Sequence, residues 1–343
     1  MNAIHMQLGM ANNLDGAPLL EVSSLTVRYP LVNALTARLL GIRRRFLDAV
    51  IDVSFTLREG RTMALVGESG SGKSSLGRAI VGLQPFASGQ VSFGGRNPFA
   101  DRLGGNSAYH RKVAMMFQDA HSSLSPRRSV RALIAEPFII HGLRDRDLRA
   151  EVERLLGLVG LPKEFAERYP HQLSGGQARR VGVARAIALN PKLIVADEPT
   201  SGLDVSVQAD ILNLLLSLQR KLGLSYLIIT HNLALVRHVS DDAAIMYMGR
   251  FVEQGPTAEI FACPAHPYTL ALLQAQPRPD PDLRRQEAPL LGEVPSLFAR
   301  PIGCEFHTRC SKRAEICYSQ PPELSQIAPS RSCRCFFPDI ATR

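Results

Sequence analysis

Tryptophan is absent from the 343-residue chain, and phenylalanine and tyrosine bring the aromatic share to only 6%. Binders of single-stranded nucleic acid interleave aromatic rings with basic residues for base stacking, and this composition is poorly suited to that task. Long apolar runs are missing too. ILNLLLSL at 211–218 falls well short of the roughly 18 to 20 residues needed to cross a bilayer. The first residues, MNAIHMQLGM, show no basic segment followed by an apolar one, so the expectation is a cytoplasmic protein that meets membranes only through partners. No internal repeat is evident, which implies one functional unit and not two in tandem. Acidic residues are in deficit, 31 against 40 lysines and arginines, giving a net charge of +9. Nucleic acid or an anionic surface would answer that charge. The local clusters at Arg43, Arg44 and Arg45 and at Arg127, Arg128 and Arg131 nevertheless lack aromatics, and a dispersed arginine excess is the simpler reading. Cysteine is scarce until the end of the chain. Apart from Cys263, expected to be an ordinary buried residue, all of it lies at Cys304, Cys310, Cys317, Cys333 and Cys335. In a cytosolic chain such clustering points to metal before disulfides.

What is present suits a folded protein, with 45% hydrophobic and 21% charged residues. Between residues 19 and 67 the apolar pattern mostly alternates (LEVSSLTVRY, AVIDVSFTL, TMALVG) and predicts strands, interrupted by an insertion at 31–46. From 129 to 160 the period becomes helical. SVRALIAEPFII and the set Leu148, Val152, Leu155, Leu156 and Val159 predict a helical subdomain. LIVAD at 193–197 and YLIIT at 226–230 are apolar throughout and flank a helix with Ile211, Leu214, Leu215, Leu218 and Leu222 on one side, which predicts a parallel sheet covered on both faces. After about residue 255 proline, arginine and cysteine take over, with PRPDPDLRR at 277–285 as a linker.

The strongest motif is GESGSGKS at 67–74, which fits GxxxxGK(S/T), follows a predicted strand and opens a predicted helix. Gly67, Gly70 and Gly72 allow the backbone to aim N–H groups at phosphate oxygens, helped by Ser69, Ser71 and Ser75 and by the helix N-terminus. Lys73 would reach the β- and γ-phosphates and Ser74 would ligate magnesium. Asp197, ending a buried strand, needs a cation to offset its charge, and Glu198 beside it is placed to hold an attacking water. These features predict a nucleoside triphosphatase without saying which kind.

LSGGQARRVGVARAIALNPKLIVADEPTSGLD at 173–204 decides the kind, because it closely resembles the signature, acidic strand and following loop of the ABC ATPase family. That resemblance covers roughly 19–265. It implies an α/β fold with a P-loop NTPase (RecA-like) core, an antiparallel β subdomain and an α-helical signature subdomain at about 119–175. It also implies roles for Gln118, for the switch histidine His231, for Asp204 in the SGLD loop and for Tyr29 stacking on adenine, with an edge-strand tyrosine as the alternative for Tyr29. By the same resemblance Gln118 joins Ser74 and Asp197 around Mg2+, and ATP lies between the phosphate loop of one subunit and Ser174, Gly175, Gly176 and Gln177 of another. Departures are minor: Ala178, Arg179 and Arg180 stand where the family often has RQR, and Ala120 follows Asp119 where it often has proline.

FQDAHSSLSPRRSV at 117–130, HPYTLALL at 266–273 and GCEFHTRCSKRAEICYSQPPEL at 303–324 further resemble the oligopeptide and dipeptide importer branch, which also serves nickel and opines. The division implied is a tail at 1–18, an ABC ATPase domain at 19–255 and a C-terminal extension with a cysteine-rich tail at 256–343. The partners implied are a second, non-identical ATPase subunit, two integral membrane permeases and, indirectly, an extracytoplasmic solute-binding protein, with this chain peripheral on the cytoplasmic face of the inner membrane and no nucleic acid involved. DNA-associated and translation-associated ABC ATPases are the rivals. The first usually needs a coiled-coil insertion or DNA-reading domain and the second two tandem units, and this chain has neither. For the tail, the branch resemblance implies a 4Fe-4S cluster on Cys304, Cys310, Cys317 and Cys333, with Cys335 as the alternative fourth ligand. Spacing alone leaves zinc and free thiols open.

Overall fold

The computed structural model describes residues 17–31, 46–100, 107–143, 145, 147–276 and 292–340. Most of the 31–46 insertion, the arginine cluster at 43–45, the linker at 277–285 and most of the 1–18 tail lie outside them.

Two sheets organise these residues. In the smaller, β1 (Pro18–Pro30) pairs antiparallel with both β2 (Phe46–Arg58) and β4 (Ser88–Phe93), in the order β2-β1-β4. The alternation seen in the sequence buries Leu20, Val22, Leu25 and Val27 of β1 and Val50, Val53, Phe55 and Leu57 of β2. The larger sheet has eight strands in the order β10-β11-β9-β8-β3-β7-β6-β5. Its parallel part is β8 (Asp242–Tyr247), β3 (Thr62–Val66), β7 (Ser225–Thr230), β6 (Leu193–Asp197) and β5 (Val113–Met116). Strands β3, β6 and β7 are buried at every position, which explains their uninterrupted apolar sequences. Antiparallel β9 (Arg250–Pro256) continues the sheet beside β8, and β11 (Arg331–Cys333) and β10 (Ser325–Ala328) extend it from the cysteine-rich tail.

Helix α1 (Lys73–Ile80) follows β3, and α2 (Ser107–Lys112) precedes β5. Helices α3 (Ala120–Ser123), α4 (Val130–Ile140) and α5 (Leu148–Leu158) then cluster with α6 (Gly175–Ile187) around Val130, Ile134, Phe138, Val152, Leu155 and Val181. Ser129 caps α4 and Asp147 caps α5, side-chain acceptors for first-turn N–H groups as their sequence positions require. Helix α7 (Val205–Leu222) buries Ile211, Leu215 and Leu218, leaving Leu214 and Leu222 only partly covered, and ends at left-handed Gly223. After it come α8 (Leu233–Val239), α9 (Thr257–Ala262), α10 (Pro267–Gln274) and, in the tail, α11 (Ile316–Ser319). No helix among the described residues is long and apolar enough to cross a membrane.

Candidate ATP site and cysteine tail

The turn between β3 and α1 is possible only because of two glycines. A Cβ on Gly67 would stand 2.2 Å from the Met246 carbonyl oxygen, and one on Gly72, whose φ is +103°, would stand 2.2 Å from that of Ala49. The loop folds around Lys73, which is almost fully buried. Its Nζ donates to the carbonyl oxygens of Gly67 (2.8 Å) and Glu68 (2.8 Å) and to Ser71 Oγ (3.1 Å). Burial lowers the Lys73 pKa to about 8, against the opposing pull of Glu198, Asp197 and Glu68. The ammonium is thus desolvated and held by neutral oxygens that phosphate oxygens can replace.

Asp197, at the C-terminal end of β6, is 2% exposed, and burial raises its pKa although Ser74 Oγ donates to its Oδ1 at 2.9 Å. A buried carboxylate beside a hydroxyl offers two hard oxygen donors, which suits magnesium, an ion usually held by one or two carboxylates with water and phosphate completing the shell. The next residue, Glu198, adopts φ +46°, uncommon outside glycine, and its N–H donates to Ile229 of β7 at 2.8 Å. Its carboxylate is held on both sides: Gln118 Nε2 donates to Oε2 at 3.0 Å, and His231 Nδ1 lies 2.8 Å from Oε1. Strands β5, β6 and β7 therefore bring Gln118, Glu198 and His231 to one end of the sheet. Tyr29 reaches the same region, its hydroxyl donating to Ser75 Oγ at 3.1 Å while its ring packs partly against the core.

Ser174 and Gln177 do not join this cluster. They form a capping box at the start of α6, with Gln177 N–H donating to Ser174 Oγ (3.3 Å) and Ser174 N–H donating to Gln177 Oε1 (3.0 Å). Gly175 and Gly176 bring this turn close to Leu203 and Val207, where a Cβ on Gly176 would meet Val207 at 2.8 Å. Asp204, exposed, is the N-cap of α7 and makes no side-chain capping bond. Signature and SGLD loop thus share one surface.

A family model described as ABC transporter matches residues 50–201, and one described as oligopeptide/dipeptide transporter, C-terminal region, matches 252–317. The dipeptide transport ATP-binding protein DppF of Haemophilus influenzae is 41% identical over 95% of this chain and 98% of its own length. The putative oligopeptide transport ATP-binding protein YkfD of Bacillus subtilis is 44% identical over 93% and 95%. The chain belongs to the ATP-binding subunits of the oligopeptide/dipeptide ABC transporter family. It is an ATPase of the ABC type. Its fold is that of a P-loop NTPase: a dimeric ATP-binding cassette in a post-hydrolysis state, bound to ADP and Pi, matches 69% of this chain and 98% of its own with a TM-score of 0.60 and 26% identity.

In the extension of this ABC ATPase, Cys304, Cys310, Cys317 and Cys335 line one small cavity with Phe306, Phe336, Phe337, His266 and His307. Cys333 does not line it. It sits on β11, 1% exposed, with the Glu253 carboxylate as its main charged neighbour. Of the two candidates for a fourth ligand, Cys335, the alternative, lines the cavity with the other three cysteines, whereas Cys333, which the family resemblance implies, ends β11 outside it. Burial pushes the Cys304 thiol up to about 12 and raises Cys310 and Cys335 as well. Among the described residues no three His, Cys, Asp or Glu side chains stand in ready metal-ligating geometry. Cys263, half-buried at the end of α9, takes no part, and its carbonyl accepts from Arg331.

Three further residues had no motif to announce them. Arg179 of α6, 4% exposed, donates to the carbonyl oxygens of Phe117 (3.0 Å), Gln118 (2.8 Å) and Ser201 (3.2 Å), so the signature helix grips the segments on both sides of Glu198. Glu68, a variable position of the phosphate loop, forms a two-pronged ion pair with Arg309 of the cysteine-rich tail.

Proposed function

We propose that this subunit powers peptide import by binding Mg-ATP at its phosphate loop and hydrolysing it across an interface with a second, related ATPase. The observation that carries the reading is the Glu198 carboxylate held between Gln118 and His231, beside the buried Lys73, Ser74 and Asp197 group. On ATP binding Lys73 exchanges the carbonyls of Gly67 and Glu68 for β- and γ-phosphate oxygens, and the loop N–H groups from Gly67 through Ser75, including Ser69, Gly70, Ser71 and Gly72, receive the rest. Ser74 and Asp197, joined by Gln118, hold magnesium, which when bound neutralises phosphate charge. Glu198 orients or polarises the attacking water, and His231 supports the γ-phosphate. Tyr29 lies beside the adenine. Because Ser174, Gly175, Gly176 and Gln177 close on themselves and not on the phosphate loop of their own chain, they are assigned to ATP held by the partner, with Asp204 on the shared surface.

The ATPase unit at 19–255, with its helical part at about 119–175, and the extension at 256–343 work with two membrane permeases and an extracytoplasmic solute-binding protein at the cytoplasmic face of the membrane. A cavity of about 220 Å³ between β5, α4 and α6, lined by Phe117, Ile140 and Arg179, lies next to Gln118 and supports permease docking there, where a shift at the γ-phosphate can be passed on. In the extension, Cys304, Cys310, Cys317 and Cys335 are the proposed ligands of a 4Fe-4S cluster. The four thiols line one cavity, and they would have to draw together and lose their protons on binding. Such a cluster would cross-link the tail.

Glu198→Gln tests the central assignment. In the assembled transporter it retains ATP binding and lowers turnover by ~10²-fold or more. Unchanged turnover with the substitution in both ATPase subunits defeats the proposal.

A further inference from the structure

Glu68 puts a carboxylate into a loop that receives a polyanion. Its carboxylate stands in the phosphate loop, close enough to Lys73 to influence that ammonium. Left unpaired it would repel the phosphates that the loop is shaped to hold. The tail removes that repulsion. Arg309 Nη1 donates to Glu68 Oε2 at 2.7 Å and Nη2 to Oε1 at 3.1 Å, the two-pronged geometry that gives guanidinium–carboxylate pairs their strength and direction. The Arg309 side chain is 4% exposed, so the pair is shielded from solvent on the arginine side.

The pair sits in a built setting. Tyr247 of β8, Tyr268 of α10 and Phe306 of the tail pack together with ring centroids 4.7 to 5.4 Å apart. The Arg309 guanidinium lies 6.0 Å from the centre of the Tyr247 ring. The Tyr268 hydroxyl accepts from the Glu68 N–H at 3.0 Å, while the Glu68 carbonyl accepts from Lys73. Glu68 is therefore held through its N–H, its carbonyl and its carboxylate at once, and two of the three holds come from the C-terminal extension.

We propose that Arg309 is a positioning residue for nucleotide binding: from the extension it neutralises and anchors Glu68, so that the affinity of the phosphate loop depends on the docked tail. The proposal rests on the assignment of Gly67–Ser75 as the phosphate loop. Arg309 immediately precedes Cys310, so whatever sets the conformation of the cysteine knuckle also sets this hold.

The test is a double-mutant cycle on the full chain, with affinity for magnesium adenylyl imidodiphosphate read by calorimetry. Arg309→Met leaves Glu68 charged and unpaired and weakens affinity by about tenfold, a loss that shrinks in high salt. Arg309→Lys, which keeps the charge but not the fork, falls in between. Glu68→Gln combined with Arg309→Met returns affinity to within about twofold of the wild type, because the repelling charge has gone with its partner. The proposal is overturned if Arg309→Met binds as the wild type does, or if the double variant stays as weak as Arg309→Met, which would mark Arg309 as merely structural. Should Arg309→Met fail to fold, the double variant decides: folded with recovered affinity supports the proposal, and unfolded or still weak overturns it. Lys73→Ala separates the two readings. If it binds normally the phosphate-loop assignment has failed, whereas lost binding in Lys73→Ala with normal binding in Arg309→Met rejects the strap alone.

Discussion

Replacing Arg179 by methionine probes the link between the signature helix and the acidic centre. The side chain is 4% exposed and its guanidinium donates to three backbone carbonyls, at 3.0 Å to Phe117, 2.8 Å to Gln118 and 3.2 Å to Ser201. Methionine fills most of the volume and donates nothing. A hydrogen bond to a charged group contributes about 1.5 to 3 kcal/mol, so three fully additive losses set an upper bound of about 4.5 to 9 kcal/mol. Against this stands the cost of keeping a guanidinium out of water: burial lowers the Arg179 pKa, and its Nε has no partner. Returning that desolvation cost offsets roughly half of the loss, which leaves about 2 to 4 kcal/mol. For a domain of this size that corresponds to a fall in Tm of about 5 to 10 °C, read by scanning calorimetry. Turnover suffers separately, because the Phe117–Gln118 backbone that aims Gln118 at Glu198 is no longer fixed. A loss of about tenfold in ATPase rate with nucleotide affinity unchanged is expected, as for a positioning contact made through another residue. A variant that melts within a degree of the wild type and turns over at the same rate would refute this account of Arg179.

Gly72→Ala puts a methyl 2.2 Å from the Ala49 carbonyl at a φ of +103°, so nucleotide binding by the purified chain should be lost while α1 remains helical by circular dichroism. Lys73, with its pKa lowered from 10.5 to about 8, gives up its proton in the folded state before it does in the unfolded one. Its burial therefore costs stability below pH 8, and that cost disappears as pH rises toward 10.5. Nucleotide affinity runs the other way, falling as pH rises through about 8, and calorimetry in buffers of different ionisation enthalpy should detect a proton taken up on binding above that pH. In anaerobically purified protein, Cys335→Ser and Cys310→Ser should both lose bound iron and the brown absorbance, whereas Cys333→Ser, outside the shared cavity, should keep them; equal loss in all three would contradict the ligand choice.

Local chemistry was readable wherever one short segment carries the whole function. GESGSGKS needs Gly67 and Gly72 because neighbouring backbone leaves no room for a Cβ, and LIVAD is apolar up to its aspartate because β6 is buried on both faces. The helices at 130–140 and 148–158 declared themselves by period, and the structure adds the caps Ser129 and Asp147. Partnerships between distant segments were not readable. Nothing in the run Ala178, Arg179, Arg180 tells which arginine turns inward, and only the fold places Arg179 against carbonyls more than sixty positions earlier in the chain, at Phe117 and Gln118. Glu68 looks like a free position of a motif until Arg309 arrives from 241 residues away. Nor does the sequence show that β11 ends at Cys333, so that Cys335 and not Cys333 shares a cavity with the other three cysteines.

The join between tail and core bears most on how the molecule works. A change of composition after residue 255 suggests an appendage, yet β11 bonds to β9 through Ser332 and Cys333 opposite Gln254 and Glu253, so the tail adds strands to the sheet that carries Asp197 and Glu198. The seam is pinned by a buried ion pair. Glu253, fully buried, accepts from the N–H groups of Ala265 and His266 and from the Arg331 guanidinium, so its charge is met from three sides. An unpaired carboxylate there would be intolerable, and for that reason the C-terminal segment cannot simply drift off the sheet while the core stays intact. A short cysteine-rich segment buries too little apolar surface to fold alone. It borrows its order from β9 at one end and from the aromatic group of Tyr247, Tyr268 and Phe306 at the other. The aromatic attachment lies on elements that also touch the phosphate loop, β8 through Met246 beside Gly67 and α10 through the Tyr268 hydroxyl. Undocking the tail would therefore remove the Arg309 and Tyr268 contacts to Glu68, which is why the proposed dependence of nucleotide affinity on the extension is tested at that pair.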